Sequence, residues 1–80
     1  MEFLDVIPLH QIAHLIYQDW KNVNYAALPY LKAMSTLNSV KDNYGLDSGQ
    51  SVVMYFLSNA TSWRGETARA VKKELNRRIK

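Results

Sequence analysis

The sequence contains no cysteine, and this absence excludes several kinds of protein. Without thiols the chain can form no disulfide bridge and no thiolate metal site, and it has no cysteine nucleophile. A small secreted domain stabilised by disulfide bridges is therefore excluded. We expect the protein to work in a reducing cytoplasm.

The sequence also lacks a long hydrophobic run. No stretch approaches the roughly 18 apolar residues that a membrane-spanning helix requires. The opening segment from Met1 to Asp5 carries two acidic residues, whereas a signal peptide begins with basic ones. We therefore expect neither membrane insertion nor export.

Glycine and proline are scarce, with three and two residues respectively. No glycines are arranged as a phosphate-binding loop, and no serine has the glycine-flanked setting of a nucleophile elbow. Period-two alternation and hairpin dipeptides are also missing, so we predict no β-structure. The sequence therefore predicts an all-α protein that is not an enzyme and uses no cofactor.

The feature that organises the rest of the chain is a run of six apolar or aromatic residues from Val52 to Leu57. A surface helix has one apolar stripe, but these side chains would point in every direction. They must be enclosed by other helices or by a second copy of the chain. The composition, 48% hydrophobic and 21% charged, is that of a globular protein. We predict a single helical domain over residues 1–80, a compact three- to four-helix bundle around a buried third helix.

Apolar spacing and proline positions predict the first two helices. Helix 1 is expected over about residues 7–22, with Asp5 as its N-terminal cap and Pro8 in its first turn. Helix 2 should begin around residues 25–28, because Pro29 fits a helix only near its start.

Glycine and polar residues mark the boundary between helices 2 and 3. Gly45 is expected in the left-handed conformation at the end of helix 2. Whether residues 35–39 remain helical up to that point is left open. Asp47 and Gln50 have the spacing of a capping box, which predicts helix 3 over about residues 48–60.

Helix 4 is predicted over about residues 62–79. Thr61 or Ser62 can cap it, and Glu66 in the first turn suits the positive end of the peptide dipoles. Residues spaced by four form its core-facing stripe: Trp63, Thr67, Val71, Leu75 and Ile79.

Positive charge is concentrated at one end of the sequence. Residues 1–60 carry three basic and five acidic groups, whereas residues 61–80 carry seven basic and two acidic groups. These basic residues lie on the predicted outer face of helix 4. A basic helix face can neutralise nucleic-acid phosphates, or it can simply keep the protein soluble. Six of its residues are the candidate site for binding a partner or nucleic acid: Arg64, Arg69, Lys72, Lys73, Arg77 and Arg78.

His10 and His14 are four residues apart on helix 1, which is the spacing of a two-histidine metal clamp. Two ligands do not make a site, and a third would have to come from Asp19 or a distant carboxylate. The intervening glutamate of the metalloprotease motif is absent. We therefore predict solvated or capping histidines and no metal site, with metal binding as the alternative.

Aromatic residues are the second functional signal, with five Tyr, two Trp and two Phe. Tyr and Trp dominate protein interfaces, although most aromatic side chains of a small bundle lie in its core. Those left at the surface favour a protein partner, or a homodimer packed about helix 3 or helix 1. Trp63 is expected to pack on helix 3, with Gly65 making room for it; the alternative is a close approach of another group to the Gly65 backbone.

Several segments resemble small uncharacterised proteins encoded by tailed bacteriophages. The resemblance runs over about residues 17–79 and is carried by YLKAMSTL (30–37), VMYFLSNA (53–60), WRGE (63–66) and AR (68–69). Short phage accessory proteins often bind and modulate a host protein, including defence nucleases. The resemblance therefore implies a protein-binding role in the cytoplasm of a bacterial host cell, and it assigns no functional residue.

The leading hypothesis is a small phage or mobile-element accessory protein that binds another protein without catalysis. Exposed aromatic residues and the basic face of helix 4 would make the contact. The alternative is a nucleic-acid-binding or regulatory module that uses the same basic face. An enzyme is the weakest of the three hypotheses, because no catalytic set of residues is recognisable.

Overall fold

The computed structural model describes Leu4 and residues 6–80. In this part of the chain, four helices and a two-stranded antiparallel sheet follow in order: α1 (Leu9–Asp19), α2 (Leu28–Met34), β1 (Asn43–Tyr44), β2 (Asp47–Ser48), α3 (Gly49–Ser58) and α4 (Glu66–Ile79). The radius of gyration is 11.2 Å, near the roughly 11.6 Å expected of a compact chain of this length. A mostly helical, compact fold is therefore confirmed, whereas the predicted absence of β-structure is wrong. None of the described helices has the length and hydropathy needed to cross a membrane.

The first turn of α1 is held by the backbone of a distant loop. No side chain among the described residues caps this helix, and the predicted cap, Asp5, lies outside them. Instead, the N–H groups of Leu9 and His10 donate to the carbonyl oxygens of Asn38 and Leu37 at 3.0 and 2.9 Å. The helix is two residues shorter at its start and three shorter at its end than predicted.

The second helix, α2, ends before residues 35–39, whose helical state the sequence left open. It begins at Leu28 with Pro29 in its first turn, as predicted, but it ends at Met34. The hydroxyl groups of Ser35 and Thr36 donate to carbonyl oxygens three residues back. Because such local hydrogen bonds compete with the helical pattern, they favour an end to the helix here.

The segment predicted as the end of helix 2 is a β-hairpin. Asn43 lies opposite Ser48 in the sheet, and Gly45 and Leu46 form the turn between the strands. Gly45 has a φ angle of 61°, so its predicted left-handed conformation is confirmed. It serves a two-residue hairpin turn, however, and not a helix end.

The predicted capping box at the start of α3 is wrong. Ser48, not Asp47, is the N-terminal cap, because its Oγ accepts a hydrogen bond from the N–H of Ser51 at 3.1 Å. Gln50 does not reach back to the cap. Its Nε2 donates to the carbonyl oxygen of Ile79 at 2.7 Å, which ties the start of α3 to the end of α4.

One side of α3 is open to solvent. Val52, Val53 and Phe56 are buried, and α3 packs against α2 and α4. Met54 and Tyr55 are each 48% exposed. The other helices therefore leave these two residues of the apolar run uncovered, and their enclosure by a second copy of the chain stays a prediction.

Three aromatic rings connect separate parts of the core. The ring centroids of Trp20 and Trp63 are 5.8 Å apart and their planes differ by 13°. Phe56 meets Trp20 edge to face at 6.3 Å and Trp63 at 6.5 Å. The Nε1 of Trp63 donates to Oδ2 of Asp19 at 2.8 Å. The predicted packing of Trp63 on the third helix is confirmed.

The start of α4 differs from its prediction. The helix begins at Glu66, and neither Thr61 nor Ser62 caps it; the cap residue is Gly65, with a φ angle of 117°. A Cβ at Gly65 would meet no heavy atom within 4 Å. Glycine is needed here for its backbone conformation, so the prediction that it makes room for Trp63 is wrong, whereas the approach of a group outside this chain stays a prediction.

The buried face of α4 follows the predicted stripe only in part. Val71 and Leu75 are fully buried, whereas Thr67 and Ile79 are half-buried. A carboxylate, Glu74, is also buried. Buried carboxylates need partners, and those of Glu74 lie on the same helix.

The tight contact at Gly49 can be tested by adding one carbon atom. A Cβ on Gly49 would lie 2.8 Å from the carbonyl oxygen of Ser39 and 2.9 Å from the Cα of Val40. A change from Gly to Ala inside a helix normally stabilises it by about 1 kcal/mol. Because the collision here is with backbone, we expect Gly49→Ala to lower the free energy of unfolding by about 1–3 kcal/mol. Urea denaturation followed by tryptophan fluorescence measures this change.

The matched control is Ser58→Ala, at an exposed position near the other end of α3. Its free energy of unfolding should stay within about 0.5 kcal/mol of the unmodified chain. A Gly49→Ala chain as stable as the unmodified one would contradict the close approach.

Candidate functional site

The six basic residues predicted as a binding site occupy three different settings. One groove of about 360 Å³ is lined by three of them and by three uncharged residues: Arg64, Arg69, Lys72, Trp63, Gly65 and Ala68. Arg77 and Arg78 instead contact Glu74. Lys73 is exposed and does not line the groove. The structure therefore brings half of the predicted site together and places the other half elsewhere on α4.

Lys72 is held against Trp63 in this groove, which we call the cationic groove. Its Nζ donates to the carbonyl oxygen of Trp63 at 2.6 Å and lies 5.8 Å from the centroid of the indole ring. Burial lowers the pKa of Lys72 below its ordinary value, and the neighbouring charge of Arg64 lowers it further. The ammonium group is thus fixed in surroundings that disfavour its charge.

The cationic groove carries positive charge without a carboxylate partner. Within the described residues, no Asp or Glu forms an ion pair with Arg64, Arg69 or Lys72; the two ion pairs found there both involve Glu74. Glu66 is exposed in the first turn of α4 and forms no ion pair in this part of the chain. An anionic ligand would therefore meet uncompensated cations.

Glu74 binds two arginines and links α4 to the start of the chain. Arg77 donates from Nε and Nη2 to the two carboxylate oxygens at 2.9 and 2.6 Å. Arg78 donates from Nε to the same carboxylate and from Nη2 to the carbonyl oxygen of Leu4, both at 2.6 Å. The Arg78 side chain is only 13% exposed, whereas that of Arg77 is 59% exposed. Arg78 therefore serves the fold and presents little of its guanidinium at the surface.

The charge state of Glu74 is stabilised by this network. The hydrogen bond from Arg77 lowers the pKa of Glu74 below its ordinary value of 4.5; burial opposes the shift, and Arg78 adds to it. Because the folded-state pKa is the lower one, the ionised carboxylate stabilises the fold above about pH 4.5. That stabilisation is lost as the pH falls through the folded-state pKa.

We expect Glu74→Gln to destabilise the fold by about 3 kcal/mol at pH 7, because it leaves Arg78 without a buried counter-charge. The difference between this variant and the unmodified chain should shrink as the pH falls below about 4.5 towards the lower folded-state pKa, because protonation of Glu74 in the unfolded chain then favours unfolding. Urea denaturation at pH 7, 5 and 4 measures it. Glu66→Gln, at an exposed position, is the control and should cost no more than about 1 kcal/mol. A pH-independent difference would show that the charge of Glu74 is not what stabilises the fold.

The two histidines lie on a different surface. His10 and His14 are both exposed and line a shallow groove of about 420 Å³ between α1 and Ser35. Among the described residues, no group of three His, Cys, Asp or Glu side chains is placed to hold a metal ion. The third ligand that a histidine clamp would need is therefore not supplied by this part of the chain.

A second candidate surface is apolar. The rings of Tyr30 on α2 and Tyr55 on α3 lie 5.4 Å apart, and Met54 is half-exposed beside Tyr55 in the sequence. We call these three residues the α2–α3 patch. Other large apolar side chains are exposed on separate elements, among them Tyr25 at 86% and Leu46 at the hairpin turn.

Comparison of the chain with protein-family models, with curated proteins and with solved structures gives no match. The resemblance to phage proteins therefore stays a prediction.

Neither the cationic groove nor the role of Glu74 was predicted from the sequence. The spacing of Glu74 from Arg77 and Arg78, three and four residues, was a usable signal for the network. No sequence spacing predicts that Arg64 and Lys72 line the same groove, because their proximity depends on how Trp63 packs.

Proposed function

We propose that the protein acts by non-catalytic binding of a protein partner, through the α2–α3 patch. The observation that carries this proposal is the half-exposed pair of Met54 and Tyr55 on a helix whose other large apolar residues are buried or half-buried. The fold does not bury these two side chains, so their apolar surface is available to a partner. The phage resemblance makes a host protein the expected partner, in the cytoplasm of a bacterial cell.

The patch has the chemistry of an interface anchor. Tyrosine offers a large, rigid contact area together with a hydroxyl group, and methionine adapts to irregular partner surfaces. The contact between Tyr30 and Tyr55 spans α2 and α3, so the rings are placed by two packed helices. A ring that is already ordered loses little conformational entropy on binding.

The basic residues outside the Glu74 network add long-range attraction. Arg64, Arg69 and Lys73 are exposed, and no described carboxylate forms an ion pair with them. Such charges raise the association rate with an acidic surface more than they raise affinity. The proposed partner is therefore a protein of acidic net charge with an apolar contact surface.

The test is capture of partners from a bacterial host lysate by the tagged chain, followed by measurement of the dissociation constant for the recovered protein. We expect Met54→Ala combined with Tyr55→Ala to weaken binding at least about tenfold, as for interface anchors. The control is Tyr25→Ala, which removes an 86% exposed ring outside the patch. Equal binding by the double variant and the control would rule out the patch.

Self-association is measured separately, with the same variants. Light scattering of the purified chain over a range of concentrations reports a homodimer. A dimer that the double variant disrupts and the control does not would identify the partner as a second copy. A strict monomer at high concentration would remove the homodimer hypothesis.

A second candidate function is nucleic-acid binding by Arg64, Arg69, Lys72 and Lys73. The uncompensated charge of the cationic groove favours it. With about four phosphate contacts, binding to single-stranded DNA should weaken about 50-fold between about 50 and 200 mM salt. Fluorescence anisotropy with single-stranded and duplex DNA measures this. Absence of salt-dependent binding would leave only the protein-binding proposal.

A further inference from the structure

Three cations meet in the cationic groove, and this arrangement differs from a charged stripe. A stripe that tracks a nucleic-acid backbone would use exposed residues along the whole helix. Here Arg64, Arg69 and Lys72 line one groove, while Lys73 lies outside it. The convergence of three charges on one place suits a single compact anion of high charge.

We propose that the cationic groove is a binding site for the phosphate group of a phosphate monoester. The proposal does not depend on the α2–α3 patch, because no residue of that patch lines the groove. Either the phosphate-binding or the protein-binding proposal could therefore be disproved without affecting the other.

The groove residues supply the donors that phosphate requires. Arginine presents a planar fork of N–H groups that matches two phosphate oxygens, and lysine contributes a compact point charge. Arg64 and Arg69 are exposed, so their guanidinium groups can move onto a ligand. Lys72 is already fixed, because Trp63 holds its Nζ through both the carbonyl oxygen and the ring.

The electrostatics of the groove favour an anion. Burial and the charge of Arg64 both lower the pKa of Lys72. A bound anion would oppose both effects, because a nearby negative charge favours the ammonium form of Lys72. The carboxylate that touches this region, Asp19, accepts a hydrogen bond from Nε1 of Trp63 and does not form an ion pair with the groove cations.

A phosphate monoester fits better than a carboxylate or a phosphodiester. A monoester carries about −1.5 to −2 charges at pH 7, against one for either alternative. The Trp63 ring is only 2% exposed, so it offers no open face for stacking a base. The volume of about 360 Å³ leaves space for part of the esterified group beside the phosphate. Recognition would therefore depend on the phosphate, with little selection for what it is attached to.

The experiment is a titration of the isotope-labelled full chain, followed by two-dimensional amide NMR in a buffer free of phosphate and sulfate. The probes are inorganic phosphate, adenosine monophosphate and adenosine. We expect saturable shifts confined to the groove residues with the first two probes and none with adenosine. The dissociation constant should be below about 5 mM, which is within the range of weak specific binding.

Two variants distinguish binding in the groove from general attraction to a positively charged protein. Arg69→Gln should weaken adenosine monophosphate binding at least about tenfold, since a bidentate donor is lost. Lys73→Gln, on the same helix and with the same change in charge, should weaken it less than about twofold because it does not line the groove. Equal effects of the two variants, or no saturable shift with either phosphate probe, would overturn the proposal.

The source of the monoester is distinguished with one further pair of probes. A short oligonucleotide with a 5′-phosphate is compared with the same oligonucleotide ending in a 5′-hydroxyl. Tighter binding of the phosphorylated form than of adenosine monophosphate would support the proposal and place the monoester at a nucleic-acid end. Equal binding of the two oligonucleotides, with no shift from adenosine monophosphate, would contradict the proposal in favour of backbone contacts.

Discussion

The packing of Trp63 against Trp20 and Phe56 connects the end of α1, the last turn of α3 and the segment before α4. Each such aromatic pair adds about 0.5–1.5 kcal/mol beyond the burial of its surface. The polar groups of Trp63 are occupied as well, since Nε1 binds Asp19 and the carbonyl oxygen binds Lys72. The position of the cationic groove therefore depends on the hydrophobic core, although its charged residues lie at the surface.

The basic residues among the last 20 fall into two groups. Some stabilise the fold, and the others are accessible to a ligand. Glu74 takes two arginines, one of them almost completely buried, and through Arg78 it binds the backbone at Leu4. The remaining cations have no carboxylate partner in the described part of the chain. A single acidic residue thus decides which of the basic residues support the fold and which remain open to a ligand.

The sequence predicted the elements with strong periodicity and failed where local hydrogen bonds override it. The approximate positions of the four helices, the early place of Pro29 in α2 and the left-handed Gly45 all follow from spacing and backbone chemistry. The hairpin was missed because its strands have two residues each, too few for alternation to appear. The loop before it depends on Asp42, whose carboxylate accepts N–H bonds from Asn38 and Ser39. Such contacts across three or four residues have no periodic signal.

The same holds for the candidate site: its residues could be predicted from the sequence, whereas their arrangement depends on side-chain packing. The concentration of positive charge in the last 20 residues identified all six basic residues, but only the fold showed that three line a groove and two bind Glu74. Lys72 illustrates the difference. Partial burial and the charge of Arg64 lower its pKa, while the carbonyl oxygen and the ring of Trp63 hold its ammonium group in place. A half-buried lysine with a lowered pKa that lines a groove beside two arginines is a candidate for ligand binding. The groove is therefore a better candidate for a ligand site than the exposed Lys73, whose charge water already stabilises.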